Sequence, residues 1–334
     1  MPEFINTTPF VGSAFSALDK DGAAVVVAVL KATYERAPDG QLRIAERQEP
    51  IWEVDECQGL SPQAAPTRES DGAIYKPATD VFITGAAYAP GGRLTRELNC
   101  SLSIGKLSKR VQITGDRFWH SGVLGTRMSE ATPFDEMPLC WERSFGGSDP
   151  SRPSAWEPRN PAGTGFCVTG SRRSLDGLRL PNFEDPAALI SHWQDKPVPQ
   201  GFGFTGRSWM PRIRYAGTYD AAWQRDRMPV LPADFDYRFW NSAAPGLVYP
   251  GFLRGGEAVE AVHLSKYGRE RFTLPRLSVE FQGIGRGKRV RCQGLLDTVI
   301  FDLAAGRLML CWRGRYLVSL NDTDSEVRVV SEAA

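Results

Sequence analysis

Hydrophobic and polar positions alternate with the two-residue period of β-strands near both ends of the chain. The run AAVVVAVLKATYE, residues 23–35, is rich in Val and ends at the turn APDGQ, so we predict a hairpin with the residues that follow. In SKRVQITGDRFW, Val111 and Ile113 fall on one face and Arg110 and Gln112 on the other. Toward the C-terminus, TVIFDL and RLMLCWRG flank the turn AAG and predict another hairpin.

The middle of the chain, residues 128–251, lacks this periodicity and is crowded with Pro, Gly and aromatic residues. EDPAALISHWQDK is the best helical segment there, because Asp185 can cap it and Pro186 suits the first helical position. Residues 219–227 and 232–241 are each predicted to form one or two helical turns. A long irregular region inside a compact domain is usually functional or an interaction surface.

These patterns predict a mainly β protein. We expect antiparallel β-sheets at both ends, residues 1–127 and 252–334, to pack together around a loop-rich middle with a few short helices. No Ser/Gly-rich or Pro-rich linker divides the chain, so residues 1–334 are expected to form a single domain.

The composition, with 42% hydrophobic and 24% charged residues among 334, is that of a globular protein. The formal net charge of +1 predicts neither a nucleic-acid nor a membrane partner. The N-terminus lacks the basic and apolar parts of a secretory signal, and the longest apolar run, AAVVVAVL, is too short to span a bilayer. We therefore expect a cytoplasmic protein without membrane insertion.

The six cysteines are scattered, and none belongs to a CxxC pair or has a His at ligand spacing: Cys57, Cys100, Cys140, Cys167, Cys292 and Cys311. This spacing predicts reduced thiols, no metal site and no cofactor.

Two glycine-rich segments resemble phosphate-binding loops only in part. GFGFTG, residues 201–206, matches GxGxxG, but Pro211 blocks the helix that a dinucleotide site needs, so we predict a turn. GIGRGKRVR, residues 283–291, lacks the first Gly and the magnesium-binding hydroxyl of a P-loop. We interpret it as a basic turn between strands, with a small-anion or nucleic-acid contact as the alternative.

Candidates for catalysis are few. His120 is the best candidate base, and Cys140 is a tempting nucleophile, but its neighbours are apolar, which is typical of an inert packing residue. Neither has a partner that completes a catalytic set. Several carboxylates lie near one another in sequence and would be needed for a glycosidase, but no pair stands out: Asp135, Glu136, Glu142, Asp149 and Glu157.

The stretch PFDEMPLCWERSFGGSDP, residues 133–150, combines stiffening prolines, apolar anchors and a Gly-Gly turn. It supplies no nucleophile with its base, so we predict a structural loop that is displayed to a partner. Trp141, Arg143 and Phe145 are the predicted partner-binding residues, because Trp and Arg dominate binding energy when they are desolvated at an interface. The alternative is that Trp141 and Phe145 are core residues, since apolar positions alternate ahead of Trp141 as on a buried strand.

Longer motifs carry a resemblance to a known family. The chain contains, in this order, YKPATDVFITGAAYAPGG, GDRFW, PFDEMPLCWERSFGG, NPAGTGF, LPNFEDP, PQGFGFTGRSWMPRIRYAGTYDAAWQRDRMPVLPADFDYRFWN and LRGGEAV. Together they closely resemble family 2169 of the domains of unknown function. LDTVIFDLAAGRLMLCWRG also looks like the terminal hairpin of that family, so the resemblance covers nearly the whole chain.

Members of that family are associated with bacterial type VI secretion. The resemblance implies a non-enzymatic adaptor or chaperone that binds an effector protein and helps load it onto the VgrG spike. It implies no catalytic residues. The alternative from the residues themselves is a hydrolase acting on carbohydrate or peptidoglycan, with His120 or the carboxylates near Glu142 in its site.

Overall fold

The structure is a computed structural model that describes residues 2–37, 39–59, 63–123, 125–319 and 326–333. The strands of the first third are β1 (Glu3–Asn6), β2 (Val11–Leu18), β3 (Ala24–Arg36), β4 (Leu42–Ile44), β5 (Glu56–Cys57), β6 (Pro66–Arg68), β7 (Asp80–Thr84), β8 (Ala86–Tyr88), β9 (Glu97–Ile104), β10 (Leu107–Thr114), β11 (Trp119–Gly122) and β12 (Gly125–Met128).

The middle region carries short strands: β13 (Glu136–Pro138), β14 (Phe145–Gly146), β15 (Ser148–Asp149), β16 (Arg152–Trp156), β17 (Thr164–Gly165) and β18 (Phe183–Glu184). The last part returns to longer ones: β19 (Ala258–Val262), β20 (Arg269–Thr273), β21 (Leu277–Gly285), β22 (Lys288–Gln293), β23 (Leu295–Asp302), β24 (Arg307–Leu317) and β25 (Glu326–Ala333). The helices are short: α1 (Arg172–Leu175), α2 (Ala221–Asp226) and 3-10 turns at Pro90–Gly92, Trp141–Arg143, Arg212–Tyr215 and Tyr237–Trp240.

The main sheet joins the two ends of the chain. Its strand order is β2-β3-β24-β23-β7, and β4 pairs with β3 as the predicted hairpin partner. β3 and β24 run antiparallel from Val25 opposite Leu317 to Glu35 opposite Arg307. Every residue of β3 from Val25 to Tyr34 is buried, as a Val-rich run covered on both faces should be. The prediction that both β-rich ends pack together is confirmed.

Two further sheets complete the β structure. The five-stranded sheet has the order β18-β10-β9-β19-β20, with Val111 and Ile113 of β10 fully buried as predicted. The four-stranded sheet has the order β1-β25-β21-β22, and β1 runs parallel to β25. Five two-stranded ladders lie elsewhere in the described residues, and two of them, β14-β17 and β15-β16, lie wholly in the middle region. The predicted mainly β fold is confirmed.

The helix predicted at Asp185 is wrong. The Asp185 carboxylate accepts a hydrogen bond from the Ala187 N–H at 2.9 Å and forms a local turn instead. The Ile190 N–H donates to Glu184, and the Asp195 carboxylate accepts the Ser191 N–H, so side chains take the donors that a helix would use. The other two helical predictions are confirmed by α2 and by the 3-10 turn Tyr237–Trp240.

Both glycine-rich segments are turns, as predicted. GFGFTG has no helix directly after it, and its Gly201 and Gly206 lie against the rings of Trp141 and Trp209. GIGRGKRVR forms the hairpin between β21 and β22. The six cysteines are all unpaired. Within the described residues, no helix is long and apolar enough to cross a membrane.

One buried face of the main sheet is charged. Lys31 of β3 is fully buried, and its Nζ lies 2.5 Å from Asp71 Oδ2 and 3.8 Å from the centroid of the Trp52 ring. On the neighbouring strand, Arg313 Nε lies 2.6 Å from Asp297 Oδ2, and its Nη1 donates to the Asp71 carbonyl at 2.8 Å. The loop around residue 71 is thus held on the sheet by groups that water cannot reach.

The charged layer continues to the edge strand β7. Lys76 Nζ lies 2.8 Å from Asp80 Oδ2 and donates to Thr298 Oγ1 at 3.0 Å. The Asp80 carboxylate also accepts the N–H groups of Ser242 and Ala243. The sheet therefore fixes the end of the irregular middle region through a buried carboxylate.

We predict that Lys31→Met lowers the free energy of unfolding by about 3–5 kcal/mol, because it leaves the buried Asp71 carboxylate without its cation. The double variant Lys31→Met/Asp71→Leu should recover about half of this loss. Urea unfolding measures both, with the exposed Lys106→Met as the control. A single variant within about 0.5 kcal/mol of the wild type would contradict this role.

Lys109 of β10 yields a pH-dependence prediction. Its side chain is buried, its Nζ donates to the Pro245 carbonyl at 2.6 Å, and burial lowers its pKa to about 7. The unfolded chain therefore binds more protons than the native state above pH 7, so stability should rise with pH between about 7 and 10. In this pH range, the free energy of unfolding of the wild type should rise relative to that of Lys109→Met by about 1.4 kcal/mol per pH unit. If the difference in unfolding free energy between the wild type and Lys109→Met did not change with pH, the lowered pKa of Lys109 would be contradicted.

Candidate interaction site

The predicted partner-binding residues connect two hydrophobic cores, with Trp141 in one and Phe145 in the other. Trp141 is 4% exposed and belongs to the large core, where its Nε1 donates to the Phe204 carbonyl at 2.6 Å and its ring meets Trp209 edge-on at 5.5 Å. Phe145 is 2% exposed and belongs to a smaller core of the middle region, edge-on to Phe166 at 6.4 Å. The five residues from Trp141 to Phe145 thus join one core to the other.

Arg143 stands between these anchors and is the one of the three that reaches solvent, at 25% exposed. Its Nη1 lies 3.3 Å from Asp116 Oδ1 and 3.2 Å from Asn182 Oδ1, and Arg179 binds the same two groups. Although burial opposes it, hydrogen bonds from Asn182 and Arg179 hold the pKa of Asp116 below its usual value. A partner could contact Trp141 or Phe145 only if they left their cores.

The structure does not bring the candidate catalytic residues together. His120 is exposed on β11 and has no side-chain partner among the described residues. Burial, followed by the Glu142 carboxylate, raises the pKa of the Cys140 thiol, which disfavours the thiolate. No group of residues in the described part of the chain has a metal-ligating arrangement.

Two of the neighbouring carboxylates already have internal partners. Glu157 forms a bidentate pair with Arg159. Asp149 is fully buried. Although burial opposes it, the Val168 N–H and the hydroxyl and N–H of Ser151 hold the pKa of Asp149 well below its usual range. These carboxylates stabilise loops.

Ser191, His192 and Asp195 meet in an exposed turn that sequence reasoning missed. The Ser191 hydroxyl lies 2.9 Å from His192 Nδ1. The Asp195 carboxylate, however, accepts bonds from the Ser191 hydroxyl and from backbone N–H groups and does not bind the second imidazole nitrogen. It therefore does not orient the ring as a catalytic triad requires.

A different surface combines several features of an interaction site. The tip of the β19–β20 hairpin, HLSKYG, projects Tyr267, which is 61% exposed. Arg36 Cζ lies over this ring, 4.8 Å from its centroid, and Lys266 Nζ lies 5.4 Å from the same point. Arg36 is itself held 2.7 Å from the buried Glu270, which also accepts the Ser265 hydroxyl at 2.5 Å. The aromatic ring is thus positioned by a supported cation.

Tyr267 borders a groove between the five-stranded sheet and the main sheet, which we call the Tyr267 groove. Its floor is apolar and consists of Leu42, Phe272, Phe301 and Leu308. Its rim is basic and consists of Arg36, Arg271 and Arg307. The enclosed volume is only about 30 Å³, the space of one water. This volume is too small for a small-molecule ligand, so a protein partner would contact the rim of the groove and the exposed Tyr267 ring.

The same hairpin stores backbone strain. His263 has a φ of 59°, which is uncommon for a residue other than Gly. Its Nδ1 is buried without a hydrogen-bond partner among the described residues, and burial, then the charge of Arg269, lowers its pKa. Strain of this kind often marks a functional segment. In the sequence, the signal was an aromatic residue at a charged hairpin tip, SKYGRER.

The chain matches the family described as "Uncharacterized protein conserved in bacteria (DUF2169)" over residues 21–313. The chain belongs to this family. No curated protein and no solved structure matches it. The matched range includes Trp141, the Tyr267 groove and the β21–β22 hairpin, whereas β1 and β25 lie outside it.

We predict that Phe145→Ala costs about 3–5 kcal/mol of folding stability, because Phe145 fills the core of the middle region. Arg143→Ala should cost about 1 kcal/mol or less, since its ion pair is partly exposed. Melting temperature and co-purification of partner proteins should be recorded for both. Loss of the partner with an unchanged melting temperature in either variant would assign that residue to a binding surface.

Proposed function

We propose that this protein is an accessory protein of bacterial type VI secretion, an adaptor or chaperone that binds an effector and helps load it onto the VgrG spike. Its membership of a conserved bacterial family and its resemblance to proteins associated with this system support the assignment. The structural observation that carries it is Tyr267, exposed beside an apolar groove and held by Arg36.

Tyr267 and Arg36 have the chemistry of an interface anchor. Tyr and Arg are enriched among residues that dominate binding energy when a partner removes them from water. The Arg36–Glu270 pair fixes the cation before binding, so little side-chain entropy is lost when a partner arrives. Partner binding at this groove would therefore use a preformed surface.

The hydrolase alternative has weaker support. His120 is exposed without a partner, and the Cys140 thiol is disfavoured as a nucleophile by burial and by Glu142. Of the five carboxylates that sequence proximity suggested, Glu157 and Asp149 lie in separate internal interactions. The described residues thus offer a better binding surface than a reaction centre.

Affinity purification of the full chain from its native cells tests this proposal, with the secretion apparatus assembled. The effector and the spike protein should co-purify, and deletion of the gene should stop delivery of that effector alone. Wild-type protein that captures neither component, in cells that secrete normally without it, would refute the adaptor role.

Tyr267→Ala should weaken the captured complex by roughly thirtyfold, the loss expected for an interface anchor worth about 2 kcal/mol. The melting temperature should not change, because the ring is mostly exposed. Tyr219→Ala is the matched control, since Tyr219 is 54% exposed, packs edge-on against Trp223 and does not line the groove. Equal capture by both variants would remove the groove from the binding site while leaving the adaptor role to be carried by another surface.

A further inference from the structure

The four-stranded sheet has an open edge at β22. Among the described residues, β21 is its hydrogen-bonded neighbour in the sheet, and no strand lies on its other side. The turn between them consists of Arg286 and Gly287, with φ of 50° and 72°. Two successive residues with positive φ form the two-residue hairpin turn that matches strand twist. Such a turn closes on a hydrogen-bonded pair, here Gly285 and Lys288.

This register fixes which backbone groups of β22 are free. Hydrogen-bonded and non-bonded pairs alternate along an antiparallel hairpin. Arg289 lies opposite Ile284 and Arg291 opposite Gln282, so both arginines occupy non-bonded positions. Their N–H and C=O groups therefore point away from β21. The open edge presents donors and acceptors at the two residues that also carry the charge.

The side chains of β22 alternate between two faces. Val290 and Cys292 are partly buried, and Cys292 Sγ lies 3.3 Å from the Arg315 carbonyl on the main sheet. Arg289 and Arg291 are exposed on the other face, where they border a concavity of about 340 Å³ together with Arg328 and Glu326 of β25. The floor of this concavity includes Ile284, which is 46% exposed.

The cations on this face are poorly neutralised. Arg289 has no ion-pair partner in the described part of the chain. Arg291 is 77% exposed and lies 3.9 Å from Glu280, and Arg328 lies 3.6 Å from Glu326. Exposed pairs at such distances contribute little. The edge therefore retains a positive field available to a partner.

We propose that the β22 edge binds an extended acidic segment of a partner protein, which adds to the sheet as a further strand. Backbone hydrogen bonds to Arg289 and Arg291 would give affinity, and carboxylates between the arginine side chains would set the register. Charged edges also guard against aggregation. The same cations repel the β22 edge of a second copy and attract an acidic strand. They therefore both prevent self-association at this edge and select the partner. This inference does not depend on the adaptor role.

The probe is a fluorescent peptide of about eight residues that alternates Glu with Val, titrated into the full chain by fluorescence anisotropy at low ionic strength. The acidic peptide should bind, and its affinity should fall as salt is added. The same peptide with Lys in place of Glu should not bind. Methylating the backbone nitrogens on one edge of the acidic peptide should abolish binding, because it removes the donors needed for strand pairing.

Two substitutions at one position separate charge from backbone. Arg291→Gln removes a charge and should weaken binding about threefold. Arg291→Pro also removes an outward N–H, which an edge strand tolerates, and should weaken binding about fivefold more. Arg110→Gln, at an exposed position of β10, is the control for net charge and should bind as the wild type does. The melting temperature of each variant reports whether the hairpin is intact.

Equal binding of the acidic and basic peptides would overturn the proposal. So would full binding by Arg289→Glu/Arg291→Glu, or binding of the backbone-methylated peptide as tight as that of its parent. Single-stranded DNA is the remaining competitor. DNA would bind through the arginine side chains and not through backbone pairing, so DNA binding that requires Arg289 and Arg291 should be equal in Arg291→Pro and Arg291→Gln. That result would assign the face to polyanions and overturn the strand-addition mechanism.

Discussion

The charged layer buried on the main sheet constrains the rest of the molecule. Lys31, Arg313 and Lys76 each face a buried carboxylate from a neighbouring element. A buried ion is costly unless every remaining donor and acceptor is satisfied, so the chain must supply backbone groups at fixed points. Arg313 takes the carbonyls of residues 71 and 73, and Asp80 takes two N–H groups of the middle region. Loops without regular structure acquire one conformation in this way.

The Pro- and Gly-rich middle region needs a second source of order, because it forms only short ladders. Its small core contains Phe145, Phe166 and Ile190 and is separate from the large one. The segment from Trp141 to Phe145, which begins with a 3-10 turn, leads from the large core to the small one. Between the two cores, the Arg143 side chain donates hydrogen bonds to Asp116 and Asn182. The dense chemistry of this stretch is explained by the junction it makes.

The sequence predicted those elements whose periodicity agrees with their environment. Alternation placed Val111 and Ile113 on the buried face, and turn residues located the terminal hairpin. The helix at Asp185 failed because side chains captured its donors, which no hydrophobic period reveals. Trp141 could not be placed by strand parity, since a 3-10 turn interrupts the alternation there. Tyr267 became a candidate only when tertiary contacts placed Arg36 and the groove beside it.

A mainly β protein must manage its sheet edges, and the described edges differ in kind. β20 carries Arg269 and Arg271, and both lie within 3.2 Å of Glu260 on the adjacent strand. On β22 the pairing is weaker, because Arg291 lies 3.9 Å from Glu280 and Arg289 has no ion-pair partner in the described part of the chain. The turn also places Arg286 in a backbone conformation that Gly or Asn adopts more easily. Protection alone would be served by closely paired charges such as those of β20. Holding excess cations on a strained, open edge has a physical rationale when an acidic strand completes the sheet.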